Sequence, residues 1–223
     1  MTTLPKAVLS WSSGKDCAYA LHVARREGLA DVVALLSTTN EAFDRVAMHG
    51  TRTALLRAQA AAVGLPLIEV PLPWPCSNEV YEARMTAAMA EVRDMGVRQM
   101  VFGDLFLEDV RAYREEKLAP LGVAAIFPLW GRPTAALARE MIASGMDTRL
   151  VTVDPRHLDA SFAGRNFDES LLADLPAGVD PCGERGEFHT AVVAGPMFSA
   201  PIPVRSGEVV TRDGFVYADL IPV

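Results

Sequence analysis

The stretch A-V-L-S-W-S-S-G-K-D-C-A-Y-A-L, Ala7 to Leu21, passes from an apolar run through two serines, a glycine, a lysine and an aspartate into helical spacing. Ala7, Val8 and Leu9 suit a buried strand, and Cys17, Ala20, Leu21 and Ala24 recur at the i, i+3, i+4, i+7 spacing of a helix with one inward face. A strand, a tight turn and a helix are therefore expected. Ser12, Ser13 and Gly14 are small, and Gly14 can take backbone angles closed to other residues. The helix that follows presents unpaired N–H groups and a partial positive charge, which together make an anion site. Lys15 adds a full positive charge, and Asp16 is useful there if a divalent cation bridges it to phosphates. The same residues also fit an ordinary strand-to-helix turn whose serines cap the helix, with Lys15 in solvent. The loop G-x-x-x-x-G-K-[ST] does not fit, because Leu9 and Asp16 stand where it needs a glycine and a hydroxyl residue.

At 223 residues, 50% hydrophobic and 22% charged, the chain suits one large domain or two small ones with a sizeable core. A net charge of −7 argues against nonspecific nucleic-acid binding, which needs Lys and Arg to neutralise phosphates. The three cysteines, Cys17, Cys76 and Cys182, are far apart and contain no C-x-x-C, so neither a disulfide framework nor a zinc site is expected. M-T-T-L-P-K-A-V-L-S-W lacks the pattern of a signal peptide, and no run approaches the roughly 20 apolar residues of a membrane span. The expectation is a soluble cytoplasmic protein that makes no membrane contact.

Outward from the opening stretch, Gly28 stops the first helix and Val32 to Ser37 reads as a second buried strand. Thr51 to Val63 predicts a helix closed at Gly64. Leu67 to Val70 is a third strand, followed by the loop P-L-P-W-P-C-S. In Glu79 to Met95, Tyr81, Met85, Ala88, Met89, Val92 and Met95 share one helical face and read as core. Gln99 to Phe102 is a fourth strand running into Gly103-Asp104, a charged helix spans Arg111 to Leu118, and Ala124 to Phe127 is a fifth strand. This alternation predicts an α/β fold, a parallel sheet with helices on both faces and ligands at the carboxyl ends of its strands. The S-S-G-K-D loop, Ser37 to Asn40 and Gly103-Asp104 thus converge on one edge.

Beyond Trp130 the pattern changes. A helix over Pro133 to Ser144, a strand over T-R-L-V-T-V-D and a loop-rich stretch precede strands at Phe188 to Ala194, Glu208 to Arg212 and Phe215 to Ile221, the last two joined by a hairpin at Asp213-Gly214. The boundary falls near residue 130, giving units 1–130 and 131–223 that pack closely, the second a smaller α+β domain. Within it P-C-G-E-R-G-E-F-H-T, Pro181 to Thr190, alternates two glycines with two glutamates beside a thiol, an arginine and a histidine. Such a loop can aim side chains and bare backbone at a small ligand, or simply turn tightly into the strand at Phe188 with its charges solvated. His189, without a His or Cys pair nearby, does not point to a metal.

Taken together, S-S-G-K-D resembles the S-G-G-K-D loop of the N-type ATP pyrophosphatases. G-D at 103–104, F-P-L-W at 127–130 and C-G-E-R-G-E-F at 182–188 are similar to the diphthine ammonia ligase family, in matching order from Val8 to about Phe198. The resemblance implies a five-stranded parallel sheet of the adenine nucleotide alpha hydrolase type, followed by a family-specific domain on the acceptor side. It implies enzymes that split ATP between the α and β phosphates, transfer AMP to a carboxyl or carbonyl oxygen, and release it when a nitrogen or sulfur nucleophile attacks. Carried onto this chain, Ser12, Ser13, Gly14, Lys15, Asp16 and Cys17 would hold the pyrophosphate part of ATP, with Mg²⁺ at Asp16. Ser37 and Thr38, with Met48 and His49, would border the adenosine. Gly103 and Asp104 would face the adenylate, and Glu184 and Glu187 would close the acceptor side, so that Lys15, Asp104, Glu184 and Glu187 carry the chemistry.

The implied partners are ATP, Mg²⁺ and ammonia, with an acceptor that is a small molecule or a modified protein side chain; homo-oligomerisation is left open. The chemistry is coherent, since joining a carboxylate to ATP brings two anions together and needs Lys15, Mg²⁺ and the loop amides to neutralise them. Ammonia must attack unprotonated, a task for a carboxylate such as Glu184. Two alternatives are a tRNA-modifying adenylating enzyme of the thiolation type and a nonenzymatic nucleotide sensor. The missing cysteine pair and the acidic charge oppose the first, and Lys15 and Asp16 oppose the second. Cys17 stands where the family loop commonly has serine; a small buried helix residue is expected there rather than a thiol acidified by the helix terminus.

Overall fold

The computed structural model describes residues 4–223, so the reading of Met1 to Thr3 lies outside it. The first half runs β1 (Lys6–Ser10), α1 (Lys15–Arg26), β2 (Asp31–Asn40), β3 (Arg45–Val46), α2 (Thr53–Val63), β4 (Leu67–Leu72), α3 (Asn78–Asp94), β5 (Gln99–Val101), α4 (Glu108–Leu118) and β6 (Ala124–Ile126). Five of these strands are parallel and ordered β4-β2-β1-β5-β6. Side chains alternate across a strand, so both faces of this sheet must be covered. Ala7, Leu9 and Leu35 join a core with α1 and α2. Val8, Ala34 and Leu36 join another with α3 and α4.

The two-residue β3 pairs antiparallel with Thr39 and Asn40 at the end of β2 and is too short to leave a pattern in sequence. The chain builds outward from β1 through β2 to β4, then returns to add β5 and β6 on the other side. Connections from the neighbours β1 and β5 therefore leave in opposite directions. The crevice beyond their carboxyl ends is where sheets of this kind bind ligands.

The second half contributes α5 (Thr134–Ala143), β7 (Asp147–Val153), α6 (Glu169–Asp174), β8 (Phe188–Ala194), β9 (Val204–Arg212) and β10 (Phe215–Pro222). Its four strands form a smaller antiparallel sheet ordered β8-β7-β10-β9. The β9–β10 hairpin turns at Asp213 (φ 50°) and Gly214 (φ 83°), the paired positive angles that an Asp-Gly turn of type I′ requires. Inside the stretch read as loop, α6 is capped by Asp168, which accepts the Leu171 N–H at 2.9 Å. The two halves share one core, in which Leu9 and Leu56 cluster with Leu137, Leu150 and Phe188. At the rim Asp219 of β10 pairs with Arg45 at 2.6 Å and Arg52 at 2.5 Å. No helix among the described residues is long and apolar enough to cross a membrane.

Candidate active site

The S-S-G-K-D loop joins β1 to α1 at the β1–β5 crevice. Its serines do not cap the helix. Ser13, at φ 70°, donates its hydroxyl to Thr51 Oγ1 at 2.9 Å, and the Ser12 hydroxyl points to Cys17 Sγ at 3.5 Å. Gly14 holds the cap position, and Lys15 N–H donates to Thr190 Oγ1 of β8 at 3.1 Å. On the other side of the crevice Gly103 lies against the first turn of α1. A Cβ there would sit 2.7 Å from Asp16 C and Cys17 N, so the close approach of β5's end to α1 requires glycine.

A buried glutamine fixes the loop's shape. Gln59 of α2 accepts the Trp11 Nε1–H at 2.9 Å and donates to the carbonyls of Ser13 at 3.0 Å and Val192 at 2.8 Å. Ser13 O also accepts the Val192 N–H at 3.1 Å, so the loop is stitched to both α2 and β8. Gln59 was not foreseen. Its signal was nonetheless present, a polar residue on the same face as buried Leu55, Leu56 and Val63.

Lys15 is 2% exposed, and its side chain runs toward the second half of the molecule rather than into solvent. Its ammonium donates to Asp16 Oδ2 at 2.9 Å and to the Cys182 carbonyl, with the rings of Phe167 and Phe188 5.5 and 5.4 Å away. Burial works against the charge, but the Asp16 carboxylate, joined by Cys182 and Glu184, outweighs it and the Lys15 pKa lies above its ordinary value. Asp16 Oδ1 is buried without a partner.

The two glutamates of the C-G-E-R-G-E-F loop have different surroundings. Glu184 reaches the crevice, where Oε1 accepts the Leu105 N–H at 2.7 Å, just past Gly103-Asp104. Burial pushes its carboxyl up to about 7, reinforced by Asp16 and Asp104 and opposed by the Leu105 bond and Lys15. Glu187 turns into its own loop. It is 3% exposed, with Oε1 accepting the Asp180 N–H at 2.9 Å and Oε2 the Arg185 N–H at 3.0 Å. Asp104 is held by Arg114 of α4, Nε to Oδ2 at 2.8 Å and Nη2 to Oδ1 at 3.0 Å.

Beside the loop opens a cleft of about 470 Å³. Of the residues expected around a nucleotide, Ser12, Ser37, Thr38, Met48 and His49 line it. The Ser37 hydroxyl is buried there and unpartnered. Ser13, Lys15, Cys17 and Glu187 do not line it, their side chains being buried. Helices α3 and α4 supply a further wall through Tyr81, Met85, Met89, Tyr113 and Arg114. Of the three methionines read as core, Met89 is buried in it, Met85 and Met95 are half-buried against it, and Met85 and Met89 also line the cleft.

His49 packs against His189 with ring centroids 4.5 Å apart and the planes tilted by 35°. Burial lowers both, His189 to about 4 and His49 well below its ordinary value, so both imidazoles are neutral near pH 7. Cys17 donates to Gly14 O at 3.1 Å, and burial pushes its thiol up to about 11, the opposite of an acidified nucleophile. No cluster of three His, Cys, Asp or Glu side chains suited to a metal forms among the described residues.

Both halves of the sequence match known proteins. The family model of the diphthamide synthase N-terminal domain matches residues 5–124, and that of the diphthamide synthase C-terminal domain matches residues 133–219. The chain is similar to proteins named diphthine–ammonia ligase from Homo sapiens, 33% identical over 118 residues (50% of this chain and 44% of that one), and from Danio rerio, 30% identical over 131 residues (56% and 51%). A relative of the same name from Schizosaccharomyces pombe is 30% identical over 94 residues, 40% of this chain and 16% of its own. The matched region spans about half the length of the first two relatives and much less of the third. With both of its halves matched by the paired domain models, the chain belongs to the diphthamide synthase family.

Proposed function

We propose that this chain is an ATP-dependent ligase that adenylates a carboxyl or carbonyl group, releases AMP and pyrophosphate, and forms an amide with ammonia. The observation that carries the reading is the meeting of two loops at the β1–β5 crevice, S-S-G-K-D at a helix amino terminus and Glu184 arriving from the second half. The relatives' name, diphthine–ammonia ligase, supports ammonia as nucleophile. The acceptor is a small molecule or a modified protein side chain. Residues 1–130 serve as the nucleotide-binding unit and 131–223 as the acceptor-side unit.

Ser12, the α1 amides that follow Lys15, and Gly103 receive the phosphates, because a helix amino terminus with small neighbours favours anions. Ser37, Thr38, Met48 and His49 border the adenosine in the cleft they line. Lys15, buried behind the loop, supplies fixed positive charge at Asp16 without needing to leave its pocket. Asp16 fits Mg²⁺, because its buried Oδ1 lacks any partner. A magnesium ion takes few protein carboxylates beside phosphates and water, and when bound it neutralises phosphate charge. Asp104, oriented by Arg114, faces the adenylate side.

Glu184 receives a proton from ammonium, and a carboxyl near 7 is poised for that at neutral pH. Glu187 contributes by holding the loop that carries Glu184. The buried, protonated Cys17 speaks against thiolation, and three free thiols suit a reducing compartment such as the cytosol. Incubation with Mg-ATP, ammonium and candidate acceptors, followed by identification of the nucleotide product, tests the reading. AMP with pyrophosphate is expected, and ADP would contradict it.

A further inference from the structure

Strand β9 closes one side of the antiparallel sheet, and no further strand pairs with it among the described residues. Arg212 and Phe215 flank the two-residue turn and face each other, as do Val210 and Tyr217, so these pairs exchange their backbone hydrogen bonds. Val209 and Thr211 therefore turn their N–H and C=O groups outward, to the open edge. The side chains there are apolar as well as charged. Val209 is 60% and Val210 41% exposed, a β-branched pair suited to further strand pairing. Glu208, Val210 and Arg212 share the face of Phe215 and Tyr217. Asp219 is taken by Arg45 and Arg52, whereas Glu208 and Arg212 make no ion pair among the described residues. The Arg212 guanidinium rests instead over the Phe43 ring, 5.4 Å from its centroid.

Charges on an open edge normally keep copies of a chain apart. Here their spacing does the opposite. In E-V-V-T-R, Glu208 to Arg212, the two charges stand equally far from Val210 and have opposite signs. An antiparallel copy centred on Val210 therefore sets Glu208 against the partner's Arg212 and Arg212 against the partner's Glu208, with Val210 meeting its own counterpart between them. The same register pairs the outward N–H and C=O groups of Val209 with those of Thr211. A shift by one residue would oppose outward groups to inward ones, and a shift by two would leave neither Glu208 nor Arg212 opposite a charge. Backbone bonds, apolar contact and both ion pairs thus agree on one register. We infer that two copies of the chain pair along β9 about a two-fold axis between their Val210 residues, an isologous contact that joins the two antiparallel sheets into one. The axis stands normal to the sheet, so both copies present the face of Glu208 and Arg212 on the same side. This pairing does not depend on the ligase reading.

The test measures self-association of the whole chain by sedimentation equilibrium over a concentration series. The wild type should show a reversible monomer–dimer equilibrium that weakens as added salt screens the two ion pairs. Glu208→Arg and Arg212→Glu change exposed residues and should keep the wild-type unfolding midpoint. Each sets like charges opposite one another twice in the dimer and should raise its dissociation constant about tenfold. The double variant carrying both reversals, and a one-to-one mixture of the two single variants, should recover wild-type association, because opposite charges then face each other again. A wild type that stays monomeric throughout the series would overturn the pairing. Dimers that either single reversal leaves unchanged would overturn it by placing the contact on another surface. A double variant as weak as the single ones would overturn it too, because Glu208 and Arg212 would then not meet.

Discussion

The Glu184 carboxylate accepts the Leu105 N–H at 2.7 Å, tying the loop before β8 to the chain just beyond β5. These residues lie 79 positions apart, and the bond brings a carboxyl from one half of the molecule to the β1–β5 crevice of the other. It is also the group whose protonation the fold changes most usefully for chemistry near neutral pH. Burial raises it from 4.5 to about 7.

Stability should carry the signature of that shift. Between about pH 4.5 and 7 the folded chain holds a proton on Glu184 that the unfolded chain has already lost. This contribution to stability is present in full below pH 4.5 and disappears as pH rises through about 7. Denaturant unfolding across pH 4 to 8 should show it, and Glu184→Gln should flatten the slope over that window. An unchanged slope would show that Glu184 is not the group responsible.

Gly103→Ala should weaken both fold and nucleotide site. The added Cβ meets backbone atoms of Asp16 and Cys17 at 2.7 Å, and backbone cannot swing aside as a side-chain tip can. Overpacking of this kind costs about 1 to 3 kcal/mol. Urea unfolding should show that loss and calorimetry a fall in ATP affinity, whereas wild-type values in both would mean the crevice is looser than drawn.

Asp16→Asn keeps the shape and removes the charge facing the unpartnered position of Oδ1. Loss of a metal-site partner typically costs about 10- to 100-fold. ATP titrations with and without magnesium should place that loss almost entirely in the magnesium arm. Equal losses in both arms would count against Asp16 as the metal residue.

Cys17→Ser should retain turnover, since a hydroxyl of similar volume can also donate to Gly14 O. Loss of most activity in a protein with a wild-type circular dichroism spectrum would revive a sulfur-transfer role.

What could be read from sequence was local. The strand, turn and helix around Gly14, and the hairpin at Asp213-Gly214, are each dictated by residues contiguous in the chain. Side-chain direction was not legible. Lys15 sits in the S-S-G-K-D loop by position, but its ammonium turns to Cys182, 167 residues away. Glu184 and Glu187 look equivalent across Arg185 and Gly186, yet one meets Leu105 and the other its own loop. Met85 and Met89 reveal why periodicity stops short, because a core face and a cleft wall both demand apolar residues at helical spacing. Gln59, Thr190 and Arg114 act only through tertiary packing that brings α2, β8 and α4 to the loop and its neighbour Asp104.

The most direct measurement compares ATP affinity and acceptor-dependent AMP release for wild type and Glu184→Gln. The phosphate loop lies on a different segment, so ATP should bind with wild-type affinity. Removal of a general acid or base typically costs about 10² to 10⁴-fold in rate, and AMP release should fall by that order. Activity of the wild type should decline below about pH 7 as Glu184 takes up its proton. Wild-type AMP release from the variant would contradict a role for Glu184 in transfer, and loss of ATP binding would move Glu184 to the nucleotide side.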